Sequence, residues 1–252
     1  MEITYAGAIT GIFLIIFATT LFAVFEGTPQ FTVAVEMMKL LAMVTAILAT
    51  ARVALLVGHR SPIGKLWLLG LAGFVLLTIG ELAAAIDSGD KAVSGILLTL
   101  GSLVLILAVF AMLRQFELMI PKRAALLALI VFLSLGVMMA FCNWPIMQSD
   151  LSGYDKVRYF FIPFFDIAAL ILVIGLAFAF LGSGLEKVWV FFMQGALTIL
   201  SADLVVGYLK LARGSYTVGA ADLLYIVGWI LIAIGVFLYR FAPLEGRRPS
   251  VR

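Results

Sequence analysis

The chain has 252 residues, 64% of them hydrophobic and only 12% charged, with a mean hydropathy of +1.20. That composition belongs to a polytopic membrane protein and excludes an ordinary soluble core, which length alone would allow. The net charge of +3 does not indicate nucleic-acid binding: no Lys/Arg cluster with interleaved aromatics occurs, and basic residues in a membrane chain set topology.

Eight apolar segments stand out, at 4–25, 32–57, 65–86, 92–114, 122–142, 159–182, 188–210 and 220–241. Each is long enough to cross a bilayer, and lipid offers the backbone no hydrogen-bond partners, so each is expected to be helical. The start, Met1-Glu2-Ile3-Thr4, lacks the positive region of a signal peptide, so the first segment reads as a retained span. A short link, Phe25-Glu26-Gly27-Thr28-Pro29, separates it from the second. Further breaks carry turn chemistry: His59-Arg60-Ser61-Pro62, Asp87-Ser88-Gly89-Asp90, Ile120-Pro121-Lys122, Asn143-Trp144-Pro145, Ser183-Gly184 and Arg213-Gly214-Ser215. The fold class is therefore all-α: one integral membrane domain, 1–252, of eight transmembrane helices.

With both termini cytoplasmic in the cell membrane, the inner side collects Arg60, Lys65, Arg114, Lys122, Arg123, Lys187, Arg240, Arg247, Arg248 and Arg252. The outer side holds Lys91, Lys156, Arg158, Lys210 and Arg213. That bias favours this orientation.

The two halves look alike. Lys65-Leu66-Trp67 opens span three, Lys187-Val188-Trp189 opens span seven, and the same separation from each tryptophan reaches Glu81 and Asp203. Glu36 in span two has its counterpart in Asp166 of span six. A four-plus-four duplication over 1–116 and 122–243, with the repeats parallel, is one expectation; the other is chance similarity between apolar helices, which share composition anyway.

The candidate site is the set of polar residues inside these runs. Ionisable side chains in hydrocarbon are costly unless paired, protonated or wetted. Glu36, Glu81, Asp166 and Asp203 are expected at similar depth, on the order of 7–12 Å below the outer boundary. Lys39 lies one turn from Glu36, and Lys210 and Arg213 are placed to fold back toward the acids. Asp222 opens the last span as a helix cap, with Tyr225 and Trp229 following at helical spacing and Tyr208 following Asp203. An outward-facing polar cavity holding a small molecule or cation is the leading expectation. The plainer reading gives each acid its own interhelical hydrogen bond, and assigns the aromatics to the interfacial belt and Gly70, Gly73, Gly228 and Gly235 to helix packing.

Leu200-Ser201-Ala202-Asp203-Leu204 with Tyr208, then Gly214-Ser215-Tyr216, then Ala221-Asp222-Leu223-Leu224-Tyr225-Ile226-Val227-Gly228-Trp229 resembles the multi-helix membrane modules found ahead of diguanylate cyclase, phosphodiesterase and histidine kinase domains. The resemblance covers about the last 60 residues. It implies a sensory role, with Asp203 and Asp222 as the positions carried over. About ten residues follow the last span, so a sensor of this kind is expected to signal through a separate cytoplasmic protein.

Other classes fare less well. One histidine, His59, and one cysteine, Cys142, exclude an internal disulfide and argue against metal or haem sites, so no cofactor is expected. A retinal protein needs a lysine deep in its last helix, and 221–241 has none. An intramembrane aspartyl protease would use Asp166 and Asp203, but the Gly-x-Gly-Asp signature is missing. A small proton- or ion-coupled transporter is the principal alternative.

Overall fold

The computed structural model describes residues 29–86, 91–116, 122–142, 144–181, 184–213 and 219–239. These are helical apart from short connections, in the order α1 Pro29–Val57, α2 Pro62–Ile86, α3 Ala92–Gln115, α4 Lys122–Cys142, α5 Trp144–Gln148, α6 Gly153–Lys156, a π-helical turn Val157–Phe161, α7 Ile162–Ala179, α8 Glu186–Arg213 and α9 Ala220–Tyr239. Among the described residues six helices are long and apolar enough to cross a membrane, α6 to α7 counting as one. The chain is thus a multi-pass membrane bundle. The expected span at 4–25, the links at 25–28, 87–90 and 214–218, and the basic tail lie outside the described residues. Segment 122–142 forms its helix, but with a shorter apolar stretch, Ala125–Met139.

Local chemistry explains the boundaries. α1 stops where Gly58 adopts φ 89°, a left-handed conformation that only glycine takes cheaply. Its N–H returns to the Leu55 carbonyl at 3.2 Å. Ser61 then caps α2, its Oγ accepting from Gly64 N–H at 2.9 Å, with Pro62 in the first helical position where no N–H is needed. At the opposite end, buried Ser94 in the first turn of α3 donates its hydroxyl to the Gly80 carbonyl of α2 at 2.7 Å.

The long helices close a ring. α1 lies between α2 and α9, α3 between α2 and α7, and α8 between α7 and α9. The tightest neighbours are α2 with α3 and α8 with α9. There glycines bring backbones together: a Cβ at Gly195 would stand 2.7 Å from the Gly228 carbonyl oxygen, and one at Gly228 would stand 2.9 Å from that of Gly195. α4 leans on the outside of α7 with most of its apolar side chains exposed.

Because successive long helices run antiparallel, the ring has two distinct ends. At one end Trp67 of α2 stacks on Trp189 of α8, with ring centroids 6.4 Å apart and planes 18° apart. Tyr239 meets Trp67 edge-on at 4.9 Å, and Phe180 stacks on Trp189 at 6.1 Å. This aromatic plug fills the centre of the ring. Toward the other end the centre carries charge.

Candidate functional site

Glu81, near the end of α2, is the centre of an ion-paired cluster. Lys39 of α1 contacts it at 2.9 Å and also holds Glu36, one turn earlier on the same face, at 3.3 Å. Arg158 completes the group, its guanidinium paired with the second Glu81 oxygen. The Lys39 and Glu81 side chains are 7% and 12% exposed, so their charges are balanced by each other and not by water. Glu36 is shallower, its side chain 36% exposed.

Arg158 owes its position to the π-helical turn. The Ile162 N–H reaches back five residues to the Val157 carbonyl, which fits one extra residue into the turn. Pro163 follows directly and lacks the N–H that a regular α-helical ladder would need there. Arg158 is buried as a result. The expectation that span six begins at residue 159 is corrected: the helix starts at Gly153, so Arg158 lies within it and joins the site.

Tyr225 of α9 links this cluster to the remaining acids. Its hydroxyl donates to the Asp203 carboxylate. Its ring lies under Lys39 Nζ at 5.5 Å and Arg158 Cζ at 6.0 Å, close enough for cation–π attraction. Asp203 is itself buried, and its carboxyl faces that of Asp166 from α7. Asp166 Oδ2 is buried with no hydrogen-bond partner among the described residues.

Two cavities meet at this point. An inner one of about 110 Å³ is walled by Asp166, Asp203, Phe74, Trp229, Phe192 and apolar side chains of the ring. An outer one of about 260 Å³ is walled by Glu36, Ala84, Ala85, Lys91, Tyr154, Tyr159 and Asp222. Lys39, Glu81, Arg158 and Tyr225 line both, so the ion-paired cluster is the partition between them.

The inner cavity draws on the two halves of the chain in matched pairs. Phe74 and Ala196, Leu77 and Ile199, and Glu81 and Asp203 all line it, each pair 122 positions apart. Leu98 and Tyr225, Ser102 and Trp229, and Leu105 and Ile232 also line it, each pair 127 positions apart. Lys39 and Ala169, and Met43 and Val173, are 130 apart, as are Glu36 and Asp166.

No family model, curated protein or solved structure matches the chain.

Of the residues singled out from the sequence, Glu36, Lys39, Glu81, Asp166, Asp203, Asp222, Tyr225 and Trp229 all line one or both cavities. Asp222 does so while capping its own helix, its Oδ2 accepting from the Gly219 N–H at 2.9 Å. Tyr208 does not join them: it is 55% exposed on α8, outside both linings. Lys210 pairs with Asp155 at 3.5 Å, with its ammonium over the Tyr159 ring, so it does not fold back on the buried acids. The side chain of Arg213 lies outside the described residues. Arg158 was missed. The one signal was its place four residues after Tyr154 and just before an aromatic run, where a basic residue had an ordinary explanation as a topology marker.

The facing of Asp166 and Asp203 meets one requirement of an aspartyl protease. A cavity of about 110 Å³ is small for a peptide backbone with its side chains, and the family signature is missing. Among the described residues no group of three or more His, Cys, Asp or Glu is arranged to hold a metal ion.

Proposed function

We propose that this chain is an integral membrane sensory or ligand-binding module whose binding site is the inner cavity. One observation carries the reading: a facing carboxyl pair, one oxygen of it without a partner among the described residues, sits in a largely apolar cavity behind an ion-paired partition. Purely structural acids satisfy their oxygens locally, because an unpaired buried polar group is expensive. Asp166 keeps an oxygen toward the cavity.

In this reading the bundle has eight crossings in the cell membrane, with both termini cytoplasmic. The Glu36–Glu81 end then faces outward, and the 260 Å³ cavity is the vestibule. Ligand entry parts Lys39 and Arg158 from Glu81. The matched lining pairs, and the stacking of Trp67 on Trp189, support two parallel repeats about an axis along the membrane normal, with the chamber on that axis. Relative movement of the halves would carry the signal to a separate cytoplasmic protein.

The two chambers sharing one partition also favour a second reading, a small proton- or ion-coupled transporter. Reconstitution in liposomes separates the two. A sensor binds ligand and moves neither protons nor solute across the bilayer. A transporter produces flux that Asp203→Asn or Glu81→Gln abolishes, and such flux would overturn the sensory reading.

A further inference from the structure

We propose that the inner cavity binds a compact organic ammonium ion, its N–H groups on Asp166 and Asp203 and its apolar body against Phe74 and Trp229. This rests on the reading of that cavity as a binding site and adds the class of ligand.

Charge is the first argument. Glu36, Glu81, Asp166 and Asp203 share two cations, Lys39 and Arg158, both of which are already paired with Glu81. Neither Asp166 nor Asp203 is ion-paired with a cation among the described residues. Asp203 has the Tyr225 hydroxyl, and Asp166 has an oxygen with no partner among the described residues. Two carboxyl groups facing each other in an apolar wall are compatible only if a proton or a cation joins them, and a bound ammonium would take the place of a proton shared by the empty pair.

Chemistry chooses among cations. Calcium or magnesium takes six or more oxygen ligands, and zinc prefers His or Cys, whereas here two carboxyls are set among hydrocarbon. An alkylammonium has up to three directional donors for the carboxyl oxygens and carries its own apolar surface for the rest of the chamber. The Tyr225 ring face is already occupied by Lys39 and Arg158, so the ligand's charge is directed to the carboxylates. Size sets the upper limit. An apolar cavity of about 150 Å³ accommodates benzene, so about 110 Å³ fits a body of roughly four carbons.

The test uses the full chain in detergent micelles, with calorimetric binding and thermal melting as readouts. The probes are n-butylammonium, n-butanol, butyrate and calcium. The proposal expects n-butylammonium to bind and raise the melting temperature, with the other three at least tenfold weaker. Asp166→Asn is expected to weaken n-butylammonium at least tenfold. Ala169→Leu, which fills the chamber without altering charge, is expected to abolish it. Should Asp166→Asn melt early, Ala169→Leu still decides whether the probe enters the chamber. Butanol or butyrate binding as tightly as the amine, and lost in Ala169→Leu, would overturn the ligand class while keeping the cavity as a binding site. Calcium binding in place of the amine would also overturn it. If no probe binds, or if Ala169→Leu leaves binding intact, both the ligand class and the cavity reading fail.

Discussion

Arg158 pairs with Glu81 across 77 positions of sequence, joining the first turns of the α6–α7 span to the last turns of α2. With Lys39 on the other side, one carboxylate holds two cations in a largely buried setting. Glu81→Gln removes the shared anion and leaves both cations facing each other. The expected loss is about 3–5 kcal/mol of stability. Lys39→Met or Arg158→Met leaves Glu81 with one partner and is expected to cost less. Denaturant melts of the three variants in the same detergent check the order, and equal losses would contradict the central role of Glu81.

Tyr225→Phe deletes one oxygen. Buried Asp203 then loses the hydroxyl that donates to it, while the ring stays under Lys39 and Arg158. An expected cost of about 1–3 kcal/mol follows from the missing hydrogen bond. The same melts measure it, with Tyr208→Phe as the control. Because Tyr208 is exposed on the outside of α8, that change is expected to leave stability within about 0.5 kcal/mol.

Helix packing offers a test independent of charge. Gly195→Ala presses a methyl against the Gly228 carbonyl, which is backbone and cannot rotate away. The expected destabilisation is about 1–3 kcal/mol. Gly70→Ala meets nothing within 4 Å and is expected to be nearly neutral. A neutral Gly195→Ala would mean that α8 and α9 do not approach this closely.

Orientation is checked by labelling single cysteines in a Cys142→Ser background. Ala85→Cys, at the vestibule end, is expected to react with a membrane-impermeant maleimide on intact cells. Lys187→Cys, at the aromatic end, is expected to react only after permeabilisation. Both positions are exposed. The reverse pattern would turn the molecule over and make the vestibule cytoplasmic.

The apolar runs from residue 32 onward located the long helices because lipid permits little else at that length and composition. The acids were legible for the same reason: a carboxyl inside hydrocarbon stands out against its neighbours. Register was harder. Tyr208 lies five residues beyond Asp203, about 140° around an α-helix, and so faces away from it. Trp229 lies seven beyond Asp222, nearly in line, and does reach the cavity. Arg158 was hidden because its burial depends on a π-helical turn, which leaves no hydrophobic periodicity to read. The match of Lys210 to Asp155 depended on where α6 begins, and a four-residue helix after Ser152 carries almost no periodic signal.

The additional residue in the 157–161 turn makes the site sensitive to length as well as to identity. Deleting one residue just after Arg158 would let the backbone relax into an ordinary α-helix at little cost to the span. It would also swing the guanidinium through about 100° relative to α7, away from Glu81 and out of the wall between the chambers. A one-residue deletion there would unlatch the vestibule without altering a single charged group.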